Sequence, residues 1–198
     1  MMVVPSLDTK CGKYFRFRDL IECGETYRAV QPDNTPKAPE TYEALRDLTR
    51  VILDPTSDQF GNLELSYGVS CPALYRKIRE RISPPLDQHS AHELNSKGQL
   101  ICSRGGAAVD FSCPGICSLQ LAQWIVKNCD FDRVYFYGVN RPIHVSVGPE
   151  PSGQIILMWY SKDAFRRIPR KISIEKFLVL SRQDDLVMSC VRQLGQGT

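Results

Sequence analysis

The sequence predicts an α+β domain, a central antiparallel sheet with helices packed on it. Three observations carry that prediction. Short β-rich segments recur at 63–66, 107–111, 134–137, 143–147 and 155–159. Other segments repeat their apolar residues at helical spacing, as in Tyr42, Leu45, Leu48, Val51 and Ile52. A chain of 198 residues is long enough to bury about 70% of its unfolded surface around one core, and two full domains of roughly 150 residues would be cramped. The composition, 42% hydrophobic and 24% charged, excludes a wholly disordered, collagen-like or coiled-coil chain.

The elements follow in order. Residues 1–12 read as an N-terminal tail. From Tyr14 to Ile21, aromatic or aliphatic residues alternate with charged ones, and Glu22-Cys23-Gly24 punctuates them. QPDNTPKAP, 31–39, is a proline-rich loop. ETYEALRDLTRVIL, 40–53, is the clearest helix, with acids early, Arg46 and Arg50 late, and Asp54-Pro55 as its expected stop. Gly61-Asn62 turns into the strand at 63–66, and Pro72 opens a helix expected to run through Ile82. After a polar stretch, 86–104, come a strand at 107–111 and a helix at 119–128 with Leu121, Trp124 and Ile125 facing inward. Strands at 134–137 and 143–147 flank Gly138-Val139-Asn140, and 155–159 is the last strand. The division expected is a tail 1–12, a domain 13–160 and a basic extension 161–198 with a short helix near 174–180.

Net charge is only +3, too little to imply a nucleic-acid partner by itself. The charge is concentrated locally: 161–182 holds Lys162, Arg166, Arg167, Arg170, Lys171, Lys176 and Arg182 against Asp163 and Glu175. Its bland reading is a solvated face docked through Ile172, Ile174, Phe177 and Leu178. Its sharper reading is a surface, centred on Arg166, Arg167, Arg170 and Lys171, for a nucleic acid, a nucleotide or an acidic protein partner. No apolar run reaches the roughly 18 residues of a membrane helix, and the N-terminus has no basic n-region. The expectation is therefore a cytoplasmic protein without a membrane partner. Its eight cysteines are expected as reduced thiols, mostly small buried hydrophobes.

The three histidines, His89, His92 and His144, lie in LDQHSAHE and IHVSV, and GGAAVDF stands between these segments. With LELSYGVSCPALYRKI before them and LAQWIVKNCDFDRVYFYG between the last two, this order resembles the D-alanyl-D-alanine carboxypeptidase and Hedgehog-like superfamily of zinc metallopeptidases, over roughly residues 13–160. That family shows a strand ending in SGYRS, a helix, SxHxxGxAxD, an amphipathic helix, FD with a strand, and a WxHxS-type strand. Gly106, Ala108, Asp110 and the later IHVS carry the likeness most specifically. The resemblance implies a zinc centre, and two imidazoles with one carboxylate suffice for one. The ligand set it implies is His89, Asp110 and His144. His89 enters only if 90–104 is an insertion, because uninterrupted spacing puts Ser103 at the family's first histidine. His92 and Cys102 are alternative ligands.

Other positions depart from the family. Its general-base glutamate falls on Tyr137, whose phenol, with an ordinary pKa near 10, is a poor base at neutral pH; Glu93 is the substitute nearest in sequence. Its carboxylate-clamping arginine falls on Val69, with Arg104 and Arg141 as replacement candidates. With base and clamp lost, the expectation is a divergent domain without conventional peptidase activity. It would serve as a binding or scaffolding subunit of a cytoplasmic complex, with mobile-element or defence assemblies as analogies. The alternative is a zinc-dependent peptidase or amidase working from a rebuilt His/Asp/His site.

Overall fold

Alternation along the strands gives the sheet two unlike faces. The computed structural model describes residues 4–78, 84–161 and 166–190. Six strands, β1 (Glu64–Tyr67), β2 (Ala107–Ser112), β3 (Arg133–Phe136), β4 (Ile143–Val147), β5 (Gln154–Ser161) and β6 (Arg166–Ile172), form one sheet in the order β1-β2-β4-β3-β5-β6. Side chains one residue apart point to opposite faces. Val109, Phe111, Ile143, Val145, Val134, Phe136, Ile155 and Leu157 therefore share one face, and all are buried. α3 (Pro39–Leu48) packs against β2 and β4, α6 (Ser118–Asn128) against β3, and α7 (Ile174–Leu178) against β5. The opposite face carries Asp110, His144 and Tyr135, aligned across three adjacent strands.

The sheet corrects the expectation in two ways. It is mixed rather than antiparallel: β3 and β5 run parallel, while every other pairing is antiparallel. The path of the chain explains this. β4 folds back on β3, and the loop 148–153 then carries the chain past β3 to its far side, so β5 regains β3's direction. Asp132 holds that loop. It accepts bonds from the Ser152 amide (2.9 Å) and hydroxyl (2.7 Å) and pairs with Arg104 (2.7 Å), while its own carbonyl takes the Gln154 amide. Secondly, part of the expected basic extension is β6, hydrogen-bonded to β5 along its whole length. Phe177 of α7 is fully buried against Phe136.

The helices differ in their ends. Asp54-Pro55 does not stop the helix begun at Pro39. A π-helical turn, Thr49–Leu53, follows α3, and α4 (Asp54–Phe60) continues from it. Pro55 is the second residue of the new segment and directly follows the π-helical turn, where the regular bonding ladder is already interrupted. The helix expected through Ile82 is only α5 (Pro72–Tyr75), and 79–83 lie outside the described residues. Tyr14 to Ile21 ends in a short helix, α1 (Phe17–Ile21), and α2 (Glu25–Val30) follows. Residues of the expected tail are anchored: Leu7 and Thr9 carbonyls accept the Arg18 and Phe17 amides, and Cys11 is buried. A further helical turn, α8 (Asp185–Met188), follows α7. All eight cysteines are free thiols, seven of them buried.

Candidate metal centre

The site is built where a bulge, a glycine and a short turn meet the polar face. In β1 the pairing register slips between Leu65 and Tyr67, so that Leu65 opposes Phe111 but Tyr67 opposes Asp110. Without that extra residue Tyr67 would fall on the helix-covered face. The bulge keeps it on Asp110's side, where its ring lies 3.9 Å, centroid to centroid, from that of His89. Gly68 follows. A Cβ there would come within 2.0 Å of the Leu20 carbonyl, so only glycine lets the chain pass.

A 3₁₀ turn, Gln88–Ser90, delivers the first histidine. Asp87 caps it by accepting the His89 amide (3.1 Å), and the Gln88 side chain donates to the carbonyls of Gly105 and Val147. Gly106, at φ +80°, sits where a Cβ would strike the Val147 carbonyl. This close approach joins the turn's floor to β4. His89 Nδ1 donates to the Gly68 carbonyl at 2.8 Å, which fixes its tautomer and aims Nε2 at the polar face. There it meets Asp110 Oδ1 at 3.1 Å and His144 Nδ1 at 3.0 Å, while His144 Nδ1 and Asp110 Oδ1 are 2.8 Å apart. The Tyr135 ring stands edge-on to His144, 4.9 Å away.

His89, Asp110 and His144 can hold a metal ion. A tetrahedral site with bonds of about 2.0 Å has ligand edges of roughly 3.3 Å, and the three donor atoms stand only slightly closer than that. Their chemistry fits a cation as well. With the Nδ1 proton of His89 given to Gly68, a neutral His89 turns a lone pair toward a carboxylate, and His144 has one proton to share between them. A bound cation satisfies all three acceptors. Both histidines are buried, whereas 23% of the Asp110 side chain stays exposed, so the group opens to solvent on the carboxylate side.

The three groups are also electrostatically coupled, and in the absence of a cation a proton shared with Asp110 takes its place. Burial alone would lift the Asp110 carboxyl, but His89 and His144 outweigh it and hold that carboxyl well below the usual range. Burial pulls His89 down, and the Asp110 charge more than reverses this, so its pKa stands above the ordinary imidazole value.

The other candidates lie elsewhere. Glu93 is buried, and its carboxylate accepts the amides of Lys37 and Ala38 and the Thr41 hydroxyl, all at 2.9–3.2 Å. It caps the start of α3. Tyr137 lies beyond the end of β3 beneath the Arg167 guanidinium, and burial pushes its phenol far above the ordinary value. It stays protonated and cannot take a proton at neutral pH. His92 Nε2 accepts the Gly106 amide at 3.1 Å, a bond that shapes the entry to β2. The buried Cys102 thiol donates to the Pro85 carbonyl. Ser103, which uninterrupted spacing puts at the family's first histidine, is solvent-exposed. Residues 93–101 form a small excursion closed by Ile101 N to Glu93 O and by the Leu94–Leu100 bridge. Val69 is buried, its amide bonded to Leu20 O. Arg104 is spent on Asp132.

Of the basic residues singled out, Arg170 stacks on Trp159 at 3.7 Å, and Arg167 donates to the carbonyls of Met158 and Cys190. Arg166 and Lys171 are exposed on the edge strand, where charge also deters pairing with other chains. Sequence reasoning missed Tyr67, Gly68 and Tyr135. The dipeptide Tyr67-Gly68 stood within SYGVS, but the bulge that turns the tyrosine onto the site leaves no mark in residue type.

No family model matches this sequence, and no curated protein or solved structure matches it. Among the described residues no helix is long and apolar enough to cross a membrane.

Proposed function

We propose that this protein is a metal-binding module, a divergent relative of the D-alanyl-D-alanine carboxypeptidase and Hedgehog-like domains, that binds a partner or ligand rather than cleaving peptides. One observation carries the reading: His89, Asp110 and His144, from a turn and two strands, bring three donor atoms within 3.1 Å of one another. Two imidazoles and a carboxylate on an interior face suit zinc, which takes such ligands readily and in an open site keeps a position for an exogenous group. Bound there, the ion would supply Lewis acidity toward a ligand oxygen.

What supports a binding role is the fate of the groups that move protons. Glu93 is committed to α3, Tyr137 is held protonated, and Val69 has no charge to offer an anionic substrate. General acid–base assistance is worth about 10²–10⁴-fold in rate, and these residues do not supply it. The protein's own residues would do three things: orient His89 through Gly68, exclude water from the histidines through Tyr67 and Tyr135, and leave Asp110 open to an incoming ligand. A place in a larger cytoplasmic assembly belongs to the same proposal.

The partial exposure of Asp110 favours one second reading, a zinc-dependent hydrolase that needs no protein base. Zinc-loaded protein assayed against peptide and amide panels separates the two. The binding reading predicts no turnover above a His89→Ala control. Turnover lost in His89→Ala and kept in Glu93→Gln would overturn it in favour of the hydrolase.

A further inference from the structure

Two hollows meet beside the candidate metal centre. One, a cavity of about 370 Å³, lies between the start of α6 and the β3–β4 loop, and Arg141 and Arg182 line it. The other, a cleft of about 1100 Å³, runs along β1 toward α1 and α2. Both are lined by Ser112 and Pro142, which they share as a common border. Ser112 lies two residues beyond Asp110 in β2, and Pro142 two residues before His144. That common border thus lies one side-chain repeat from two candidate ligands.

The two hollows differ in charge. The larger is lined by Asp19, Glu22, Glu25 and Glu64 against Arg18 and Arg28, and Arg18 is paired with Asp8 and Glu22. The smaller has two guanidinium groups and no carboxylate in its lining. Among the described residues neither Arg141 nor Arg182 forms an ion pair. A third arginine adds to the same field. Arg167 of β6 lies outside the lining, bonded to the Met158 and Cys190 carbonyls, and burial with the repulsion of Arg141 holds its pKa below the usual guanidinium value. Two separate segments therefore bring exposed guanidinium groups, Arg141 and Arg182, to one hollow, and among the described residues no carboxylate pairs with either. The start of α6 adds donors: its N-cap residue Cys117 makes no side-chain cap, and among the described residues the Leu119 and Gln120 amides have no acceptor. Such amides carry the positive end of the helix dipole.

We propose that the cavity between Arg141 and Arg182 is a binding site for the phosphoryl group of a small phosphoester, whose remaining part crosses Ser112 and Pro142 into the adjoining cleft. Guanidinium forks match the oxygens of a phosphoryl group, and a cavity of this size takes such a group with room to extend. The site uses none of the metal-ligand candidates and does not depend on a metal being bound.

The test is calorimetric titration of the whole protein with inorganic phosphate, a nucleoside monophosphate and a single-stranded oligonucleotide. It is run after chelator treatment and again with added zinc. Arg141→Ala, Arg182→Ala and the double variant stand beside the unaltered chain. Arg141 joins its loop through backbone groups, its amide to Gly138 O and its carbonyl to the Ser118 hydroxyl. The variants should therefore fold, which circular dichroism checks. The expected result is binding of the monophosphate, tighter than inorganic phosphate, and weakened about tenfold or more in the double variant, with or without zinc. Equal affinity for phosphate and monophosphate would overturn the extension into the cleft. No binding of either, binding indifferent to both arginines, or binding of the oligonucleotide alone would overturn the site.

Discussion

The two faces of the sheet use the same strands for opposite purposes. On the helix-covered face Phe111 and Val145 are fully buried among other apolar groups, and their neighbours answer only to size and shape. On the other face Asp110 and His144, one residue away in each strand, answer to donor chemistry and to the reach of His89. The difference teaches where each kind of information sits. The covered face is specified by alternation within a strand. The polar face is specified by alignment between strands, by a bulge and by a turn that arrives from elsewhere in the chain.

Substitutions can break that contrast, and the largest effect belongs to the covered face. Phe111→Ala should cost about 3–5 kcal/mol of stability, read by chemical denaturation, while the folded fraction still takes up metal. Asp110→Asn should do the reverse, costing no more than roughly 1–2 kcal/mol in metal-free protein but abolishing uptake. Equal destabilisation by the two would erase the distinction between the faces.

Next comes the loop that makes the sheet mixed. Asp132→Ala removes the partner of Arg104, which is itself partly exposed, so a loss of about 2–4 kcal/mol is expected. Burial would raise the Asp132 carboxyl, but Arg104 and Ser152 overcome this and leave it below the ordinary value. A carboxyl lowered in the folded state contributes stability that is present above its unfolded pKa, near 3.9, and is lost as pH falls through the folded value. The acid limb of unfolding should therefore be shallower in Asp132→Asn. An unchanged acid limb would remove Asp132 from that account.

The smallest effect sharpens the comparison. Glu93→Gln should cost about 1 kcal/mol through the weakened start of α3 and leave metal stoichiometry untouched. Loss of metal in this variant would return Glu93 to the site.

These contrasts also show how much could be read in advance. The strands at 107–111 and 143–147 and the helix at 119–128 are legible from their apolar patterns, whereas the pairing of Asp110 with His144, with a helix and a strand between them, was legible only through the family resemblance. His89 was legible as a ligand candidate only if 90–104 was taken as an insertion. Uninterrupted spacing pointed to Ser103, and spacing along the chain says nothing of a turn that folds back. β6 was hidden because Arg166, Arg167, Arg170 and Lys171 read as a solvated extension, although charge is what an edge strand carries on purpose. The parallel β3–β5 pair was hidden for a different reason. It follows from a loop held by Asp132, and nothing in the strands themselves announces their direction. Glu93 looked available beside two histidines, yet its partners, Lys37, Ala38 and Thr41, lie more than fifty residues earlier.

The central claim is that three residues from a turn and two strands form one metal centre. Elemental analysis of the purified protein, with His89→Ala and His144→Ala beside it, tests this most directly. The account predicts about one zinc per chain, lost in both variants while their circular dichroism stays native. Folded protein that takes up no metal after zinc is added back, or variants that keep it, would contradict the account.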